Sequence, residues 1–263
     1  MATNPTAPSP ASKLSQVPSQ SPQEAAPLSE GQRLLNTFLA PSKAFTDLRR
    51  SASWWLPFLI IAIVAVMFNY VVDQKVGYRK VVENQIRIQP KQAARMDRLP
   101  PDQHEKVMQQ QTNFWKGLSY VSPIMGLLYY LVIAAVLFGT FKFAASVEIR
   151  FKTMYALVVF AWLPAIFVYL LAILSLLAGA SSDGFLIQNP AATNLGILVD
   201  PTSSSVLYAL LSSVDILTFW SLTLMAIGVT CISKVKRGTA FAVVFGWFGF
   251  WVLVKVGLAA AFS

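Results

Sequence analysis

Residues 206–262 read VLYALLSSVDILTFWSLTLMAIGVTCISKVKRGTAFAVVFGWFGFWVLVKVGLAAAF. The segment holds two long apolar runs, 206–232 and 239–262. They are separated by a short turn with three cationic residues, Lys234, Lys236 and Arg237. About 20 apolar residues match a hydrocarbon core of roughly 30 Å, so each run is long enough to span a bilayer. Because short basic loops favour the cytoplasm, the segment predicts a transmembrane hairpin whose turn lies on the cytoplasmic side.

The composition of the whole chain is typical of a membrane protein. Of the 263 residues, 55% are hydrophobic and 13% are charged, whereas soluble domains carry about a quarter charged residues. The net charge is +9, but the basic residues flank apolar runs, so we expect anionic lipid head groups rather than nucleic acid to be their partners. One cysteine, Cys231, and one histidine, His104, cannot supply a zinc site or a disulfide. We predict no metal and no cofactor.

The first 53 residues change character near residue 29. Residues 1–28 are dominated by Pro, Ser, Ala, Gln and Thr and predict a disordered tail, because they cannot bury enough apolar surface to offset their ordering entropy. Residues 29–53 carry apolar side chains at helical spacing and predict two amphipathic juxtamembrane helices on the cytoplasmic surface, with an ordinary linker as the alternative. The predicted membrane-interface anchors are Arg49, Arg50, Trp54 and Trp55.

The membrane domain is predicted to cover residues 54–262. Its five expected spans are about 56–72, 121–145, 154–178, 212–232 and 239–262. Pro164 lies near the middle of the third span and predicts a kink, with the carbonyl of Phe160 left as a free acceptor. Such kinks more often shape packing than bind ligands. The predicted fold class is therefore an all-α, polytopic membrane helix bundle.

The polar segment 73–120 is predicted to form helices outside the membrane. Its nine Lys and Arg against five Asp and Glu favour the cytoplasm by charge alone. Short loops near span ends nevertheless orient a chain more strongly than long polar segments do. The loop 181–205 has no Lys or Arg and belongs outside. We therefore predict a cytoplasmic N-terminus, an external C-terminus and an external segment 73–120.

Two ionisable residues lie within the late spans, where a charge is costly and is by default a functional candidate. Asp215 and Lys255 both stand about 25 to 27 Å from the cytoplasmic turn at helical rise. They therefore lie at the same depth. We hypothesise that they pair, directly or through water, near the outer boundary of the membrane. The alternative is that each side chain reaches the outer head groups separately.

No sequence pattern indicates an enzyme. The chain lacks G-x-S-x-G, H-E-x-x-H and a Gly-rich phosphate loop. A transporter commonly has repeats and broken helices around midplane polar groups, but five spans cannot divide into equal halves. The last span carries Ala242 with Gly246 and Gly257 with Ala261. These small residues would allow another helix to approach closely.

Several motifs share one order and spacing along the chain. They are Phe38, Pro41, Phe45 and Leu48, then Trp54, Trp55 and Pro57, then Leu163 with Pro164, and finally residues 214–220, Gly228 and the basic turn. This arrangement resembles the Yip family, membrane proteins first described as partners of Rab/Ypt GTPases, in the branch with many bacterial members. The resemblance covers roughly residues 33–262. It implies a five-span helical bundle with a cytoplasmic N-terminus.

The resemblance also implies a function. Eukaryotic members of the family are associated with vesicle traffic and membrane shaping and are not known as enzymes. The short polar tail and long first external loop of this chain depart from the eukaryotic pattern and argue against Rab binding. We expect a non-enzymatic protein that organises the membrane, other membrane proteins or copies of itself. A bacterial inner membrane is favoured, or an endomembrane if the source is eukaryotic. The alternative is a small-solute carrier or channel that acts as an oligomer.

Overall fold

A computed structural model describes Met1, residues 26–144 and residues 146–262, with the backbone alone for Phe262. This part of the chain is helical and contains no β-strand, apart from one isolated antiparallel bridge between Asn194 and Asp215. The predicted all-α membrane helix bundle is therefore confirmed. The predicted disordered tail, 1–28, lies outside the described residues except for Met1 and residues 26–28.

The helices follow one another in a simple order. They are α1 (Glu30–Leu39), α2 (Pro41–Asp47), α3 (Trp55–Lys75), α4 (Tyr78–Arg87), α5 (Pro90–Asp97), α6 (Pro101–Tyr120), α7 (Ser122–Gly139), α8 (Phe151–Ala161), α9 (Ala165–Leu177), α10 (Ser205–Leu211), α11 (Ile216–Ile232) and α12 (Arg237–Phe262). A π-helical turn, Thr140–Ala144, extends α7, and a 3₁₀ turn, Leu195–Leu198, precedes α10.

Four helical stretches in the described part of the chain are long and apolar enough to cross a bilayer. They are Trp55–Lys75, Ser122–Ala144, Phe151–Leu177 and Arg237–Ala261. The fourth predicted span corresponds to α11, which is apolar but has only 17 residues. At 1.5 Å per residue it is about 25 Å long, at the lower limit for a spanning helix.

The apolar run 206–232 is not one continuous helix. Its first part forms α10, and α11 begins only after Asp215, whose carboxylate accepts a hydrogen bond from the backbone N–H of Thr218 at 2.6 Å. An aspartate in this position caps a helix, because it satisfies a donor that the first turn leaves unpaired. The cap explains why hydropathy alone overestimates the length of this helix.

The main apolar core lies between α8 and α11. Leu157, Phe160, Met225 and Val229 are almost fully buried there. Gly228 of α11 is the point of closest approach, since a Cβ atom added to it would lie 2.0 Å from Cδ1 of Leu157. Without a side chain at position 228 the two helices can pack backbone against side chain.

The third span is divided at Pro164 into α8 and α9. Proline has no N–H to donate, so the regular helical ladder stops there. Our prediction of a free acceptor at this point is wrong. The carbonyl of Phe160 accepts a bond from the N–H of Leu163 at 3.1 Å, because the backbone tightens into a 3₁₀-type turn. The break therefore leaves this carbonyl satisfied.

Helices α4 to α6 pack on the end of the bundle where α3 finishes. The side-chain amide of Asn84 in α4 donates to the carbonyl oxygens of Ser182, at 2.7 Å, and Phe185, at 3.0 Å. The Lys91 ammonium in α5 donates to the carbonyl oxygen of Ala261, at 3.2 Å. The segment 78–120, the loop after α9 and the end of α12 thus lie at one end of the bundle.

Ion pairs hold these polar helices to one another and to the end of α3. The Arg79 guanidinium contacts both carboxylate oxygens of Glu105, at 2.6 and 2.9 Å, and this hydrogen bonding lowers the pKa of Glu105. Lys116 pairs with Asp73 at 2.9 Å, which raises the pKa of the Lys116 ammonium. All of these side chains are at least partly exposed, so each pair contributes little to stability by itself.

Candidate functional site

We define the N-terminal hairpin as α1 and α2. Local sequence features explain where each of these two helices begins. Ser29 begins α1 through a capping box, in which its hydroxyl accepts from the N–H of Gln32 and the Gln32 side chain accepts from the N–H of Ser29. Pro41 then occupies the first turn of α2, where a missing N–H has no cost. The two helices fold back on each other at Ala40.

A buried ion pair closes the hairpin. The Arg33 guanidinium donates from Nη2 and Nε to one oxygen of Asp47, at 2.7 and 3.0 Å. Arg33 is 3% exposed and Asp47 is 7% exposed. The second oxygen of Asp47 accepts from the N–H of Leu28 at 3.3 Å, and Glu30 lies 3.2 Å from Nη1 of Arg33. The pair therefore joins α1, α2 and the residue that leads into them.

The hairpin is seated on the bundle. Phe45 and Leu48 are buried in the main core. The ring of Phe38 makes edge contacts with Phe167 at 5.8 Å and Trp220 at 5.7 Å. Phe38 of α1 therefore contacts α9 and α11, and α2 packs against α11.

The other face of α1 is apolar and exposed. Leu35 and Leu39 are 60% and 73% exposed, and they are one helical turn apart, so they form a single patch. We call this pair the leucine patch. It lies on the side of α1 away from Arg33 and Thr37, which are buried.

The Arg33–Asp47 pair was not among the contacts predicted from the sequence. One signal could have found it, because Asp47 is the only acidic residue between positions 31 and 53. A lone carboxylate among basic residues in an amphipathic segment indicates a specific partner. Asp47 is far from Arg33 along the chain, and the two residues meet only because α1 and α2 fold back on each other at Ala40.

Exposed basic residues surround the end of the bundle where α3 begins. We call this set the basic rim: Arg49, Arg50, Arg150, Lys152, Lys234, Lys236 and Arg237. Trp54, beside the rim, packs edge-on against Tyr155 at 5.2 Å, whereas Trp55 is 53% exposed on the outside of the bundle. The predicted interface anchors and the basic turn therefore lie at one end of the molecule, opposite the polar helices α4 to α6.

Asp215 lies at the other end, in a network built by the loop before α10. Besides capping α11, its carboxylate accepts from the hydroxyl of Thr193, and the backbones of Asn194 and Asp215 form the isolated bridge. Asn194 exchanges side-chain hydrogen bonds with Asn189, at 2.6 and 3.3 Å. Asp215 is 8% exposed, and its hydrogen-bond partners in the described part of the chain are all neutral, so the carboxylate fixes the loop to the start of α11.

Lys255 has different partners. Its ammonium donates to the hydroxyls of Ser212 at 2.9 Å and Ser213 at 3.1 Å. These serines lie in the break between α10 and α11, so the lysine ties α12 to that break. Asp215 and Lys255 therefore occupy the same region, but no ion pair joins these two described residues. The hypothesis of a direct pair has no contact to support it.

Among residues 26–144 and 146–262, no three His, Cys, Asp or Glu side chains come together as metal ligands would. What the structure does provide is a docked N-terminal hairpin with an exposed leucine patch, next to a basic rim. These are features for contact with lipid or protein.

Comparison with known protein families gives one match, which covers most of the chain. Residues 35–259 match the family model of the Yip1 domain. The match begins within α1, after Arg33, and ends within α12, so it covers residues 35–39 of α1, all of α2 to α11 and most of α12. No curated protein and no solved structure shows significant similarity to the chain.

Proposed function

Because this chain belongs to the Yip1 domain family, we propose that it is a non-enzymatic integral membrane protein that organises the membrane or its partner proteins. The observation that carries the proposal is the seating of the N-terminal hairpin, which holds an apolar patch in a fixed position beside a cluster of positive charge.

The hairpin is held rigidly enough to present a defined surface. Its inner face is fixed by the Arg33–Asp47 pair and by the packing of Phe38, Phe45 and Leu48. A surface that is already ordered loses little conformational entropy when a partner binds. The leucine patch thus suits an apolar partner, namely the helix of another membrane protein or of a second copy.

The basic rim gives the proposal its orientation. Positive charge at short loops favours the cytoplasmic side, so we place the rim and the N-terminus in the cytoplasm and α4 to α6 outside, with five spans between. Anionic lipid head groups of that leaflet are the expected counter-charge. We favour a bacterial inner membrane, and an endomembrane if the source is eukaryotic.

Neutralising the basic turn is expected to weaken this orientation. In a chain that carries Lys234→Gln, Lys236→Gln and Arg237→Gln, the hairpin of α11 and α12 loses its nearest positive charges. A fraction of the molecules should then expose a C-terminal tag on the cytoplasmic side. Protease protection of the tag in sealed, oriented vesicles measures that fraction.

The matched control removes the same charge from the other end. Arg95 in α5, Arg98 directly after α5 and Lys106 in α6 are exposed, and their replacement by glutamine should leave the tag where it is. If the unaltered protein already presents residues 80–110 to the cytoplasm, the proposed orientation is wrong.

Cross-linking in the membrane tests the proposed role. A photoreactive amino acid at Leu35 or Leu39 should give a discrete adduct with one protein, or with a second copy, in living cells. The same probe at Gln110, an exposed position of α6, is the control and should not give that adduct. Equal labelling from all three positions, or labelling of lipid alone, would count against a protein partner at the leucine patch.

The alternative function is a small-solute carrier or channel formed by an oligomer. The break at Pro164 is the observation that favours it, because broken helices often line transport paths. Proteoliposomes that contain the protein would then pass solutes or ions faster than empty vesicles. A flux equal to that of the empty vesicles, together with the discrete cross-link, would support the organising role instead.

A further inference from the structure

A cavity of about 420 Å³ lies where α4 and α6 meet the membrane helices. Its walls come from α3, α4, α6, α9 and the loop after α9. This volume falls within the range of roughly 300–1,000 Å³ typical of small-molecule sites. The cavity is separate from the N-terminal hairpin, which is at the opposite end of the bundle.

Aromatic side chains form the apolar part of the wall. Phe68 and Tyr169 meet at 5.2 Å between ring centroids, and the partly buried Trp115 also lines the cavity. Aromatic rings offer flat apolar faces, while Trp and Tyr add a polar group at the ring edge. The wall therefore suits a ligand that has flat apolar faces of its own.

Side-chain amides form the polar part. Asn69 is 4% exposed, and its amide nitrogen donates to the carbonyl oxygen of Ser119 at 2.7 Å and the hydroxyl of Ser122 at 3.1 Å. Its oxygen keeps its acceptor capacity. Gln85 and Gln188 also line the cavity, and their side-chain amides have no hydrogen-bond partner among the described residues. Each can donate and accept at once.

The cavity wall has no formal charge. All the side chains that line it, within the part of the chain that the structure describes, are neutral, and the nearby Asp73 and Lys116 are paired with each other. A charged ligand would lose its hydration there without gaining a counter-charge. The chemistry thus selects a neutral ligand that carries both donors and acceptors.

We propose that this cavity binds the ring of a neutral sugar. A sugar ring has apolar faces formed by C–H groups, which fit the rings of Phe68, Trp115 and Tyr169. Its edge carries hydroxyl groups that both donate and accept, which matches the free amides of Gln85 and Gln188. The cavity lies at the junction of the polar helices and the spans. The sugar ring could therefore belong to the head group of a glycolipid or to a soluble sugar.

Binding to the purified full-length chain tests the proposal. The chain is placed in phosphatidylcholine nanodiscs that are prepared without glycosidic detergent. The probes are radiolabelled glucosyl and galactosyl diacylglycerol, the corresponding free methyl glycosides, and diacylglycerol without a sugar. The variants are Gln85→Leu and Trp115→Leu, with Gln110→Leu as the matched control on an exposed face of α6.

We expect a glycosylated probe to bind saturably and at least about tenfold more tightly than diacylglycerol. Loss of one amide or one ring contact should weaken that binding about five- to tenfold, while Gln110→Leu has no effect. Binding of the glycolipids alone identifies a lipid source, and binding of the methyl glycosides identifies a soluble one. Equal binding of diacylglycerol, no binding of any sugar probe, or insensitivity to both Gln85→Leu and Trp115→Leu would overturn the proposal.

Discussion

Replacing Asp47 with alanine is expected to detach the N-terminal hairpin from the bundle. The change leaves the Arg33 guanidinium buried with only Glu30 beside it, and the loss of one partner of a buried ion pair costs about 3–5 kcal/mol. The hairpin is small, so a loss of that size should open it locally while the spans stay folded. Hydrogen–deuterium exchange of the peptides that cover residues 28–50 should become fast.

Two further variants show whether the charge is responsible. Replacing both partners, with Arg33→Met and Asp47→Leu, removes the buried charges together and should restore much of the protection, because apolar pairs of similar volume can substitute for a buried ion pair. Lys43→Ala, an exposed change on the same hairpin, should leave exchange unchanged. If Asp47→Ala exchanges no faster than the unaltered protein, the pair does not hold the hairpin in place.

The same variant connects the hairpin with the proposed function. If the leucine patch binds a partner only when α1 is seated, Asp47→Ala should reduce the cross-link from Leu39 several-fold without lowering the amount of protein in the membrane. An unchanged cross-link from a hairpin that exchanges rapidly would mean that the partner does not need the seated form.

Gly228→Ala is expected to destabilise the core of the bundle. The added methyl group would lie 2.0 Å from Cδ1 of Leu157, which is fully buried, so the leucine side chain or one of the two helices would have to shift. Overpacking of this kind costs about 1–3 kcal/mol, or more where the neighbour cannot shift. The expected result is a lower midpoint of thermal unfolding and a smaller yield of monodisperse protein in detergent.

A paired variant separates this steric effect from other causes. Leu157→Ala alone leaves a cavity and should cost about 2–5 kcal/mol. Combined with Gly228→Ala it should be less harmful than the sum of the two single changes, because each relieves the other. Gly246→Ala in α12, where an added Cβ meets nothing within 4 Å, is the control and should be neutral. Strictly additive effects at positions 157 and 228 would contradict the contact.

Hydropathy and charge were enough to predict the bundle and its helical class. Apolar runs of 20 or more residues have few alternatives to spanning a bilayer, and the motifs from Phe38 to the basic turn led to the family that the comparison found. These features depend on local composition, which is visible along the chain.

The details that were missed depend on contacts between distant residues. We hypothesised from the sequence that Asp215 pairs with Lys255, directly or through water; in the structure Asp215 caps α11, and Lys255 donates to the hydroxyls of Ser212 and Ser213. An aspartate that caps a helix and an aspartate that pairs with a lysine can stand at the same depth in the membrane. Hydropathy therefore cannot distinguish these two roles. The packing of the N-terminal hairpin on the bundle likewise depends on the contact between Phe38 and Trp220, which are distant in sequence.

The unequal lengths of α11 and α12 bear on how the protein sits in membranes of different thickness. The two helices are packed as a pair, yet α12 has 26 residues and spans about 39 Å, against about 25 Å for α11. A hydrocarbon core of roughly 30 Å cannot match both. In a thin bilayer the hydrocarbon thickness matches the length of α11, and α12 has to tilt. In a thick bilayer the thickness matches α12, and the bilayer has to become thinner beside α11. Such hydrophobic mismatch costs fractions of a kcal/mol per Å and sorts proteins among membranes. We therefore expect the bilayer to deform unevenly around this pair of helices, except where α10 also packs against α12.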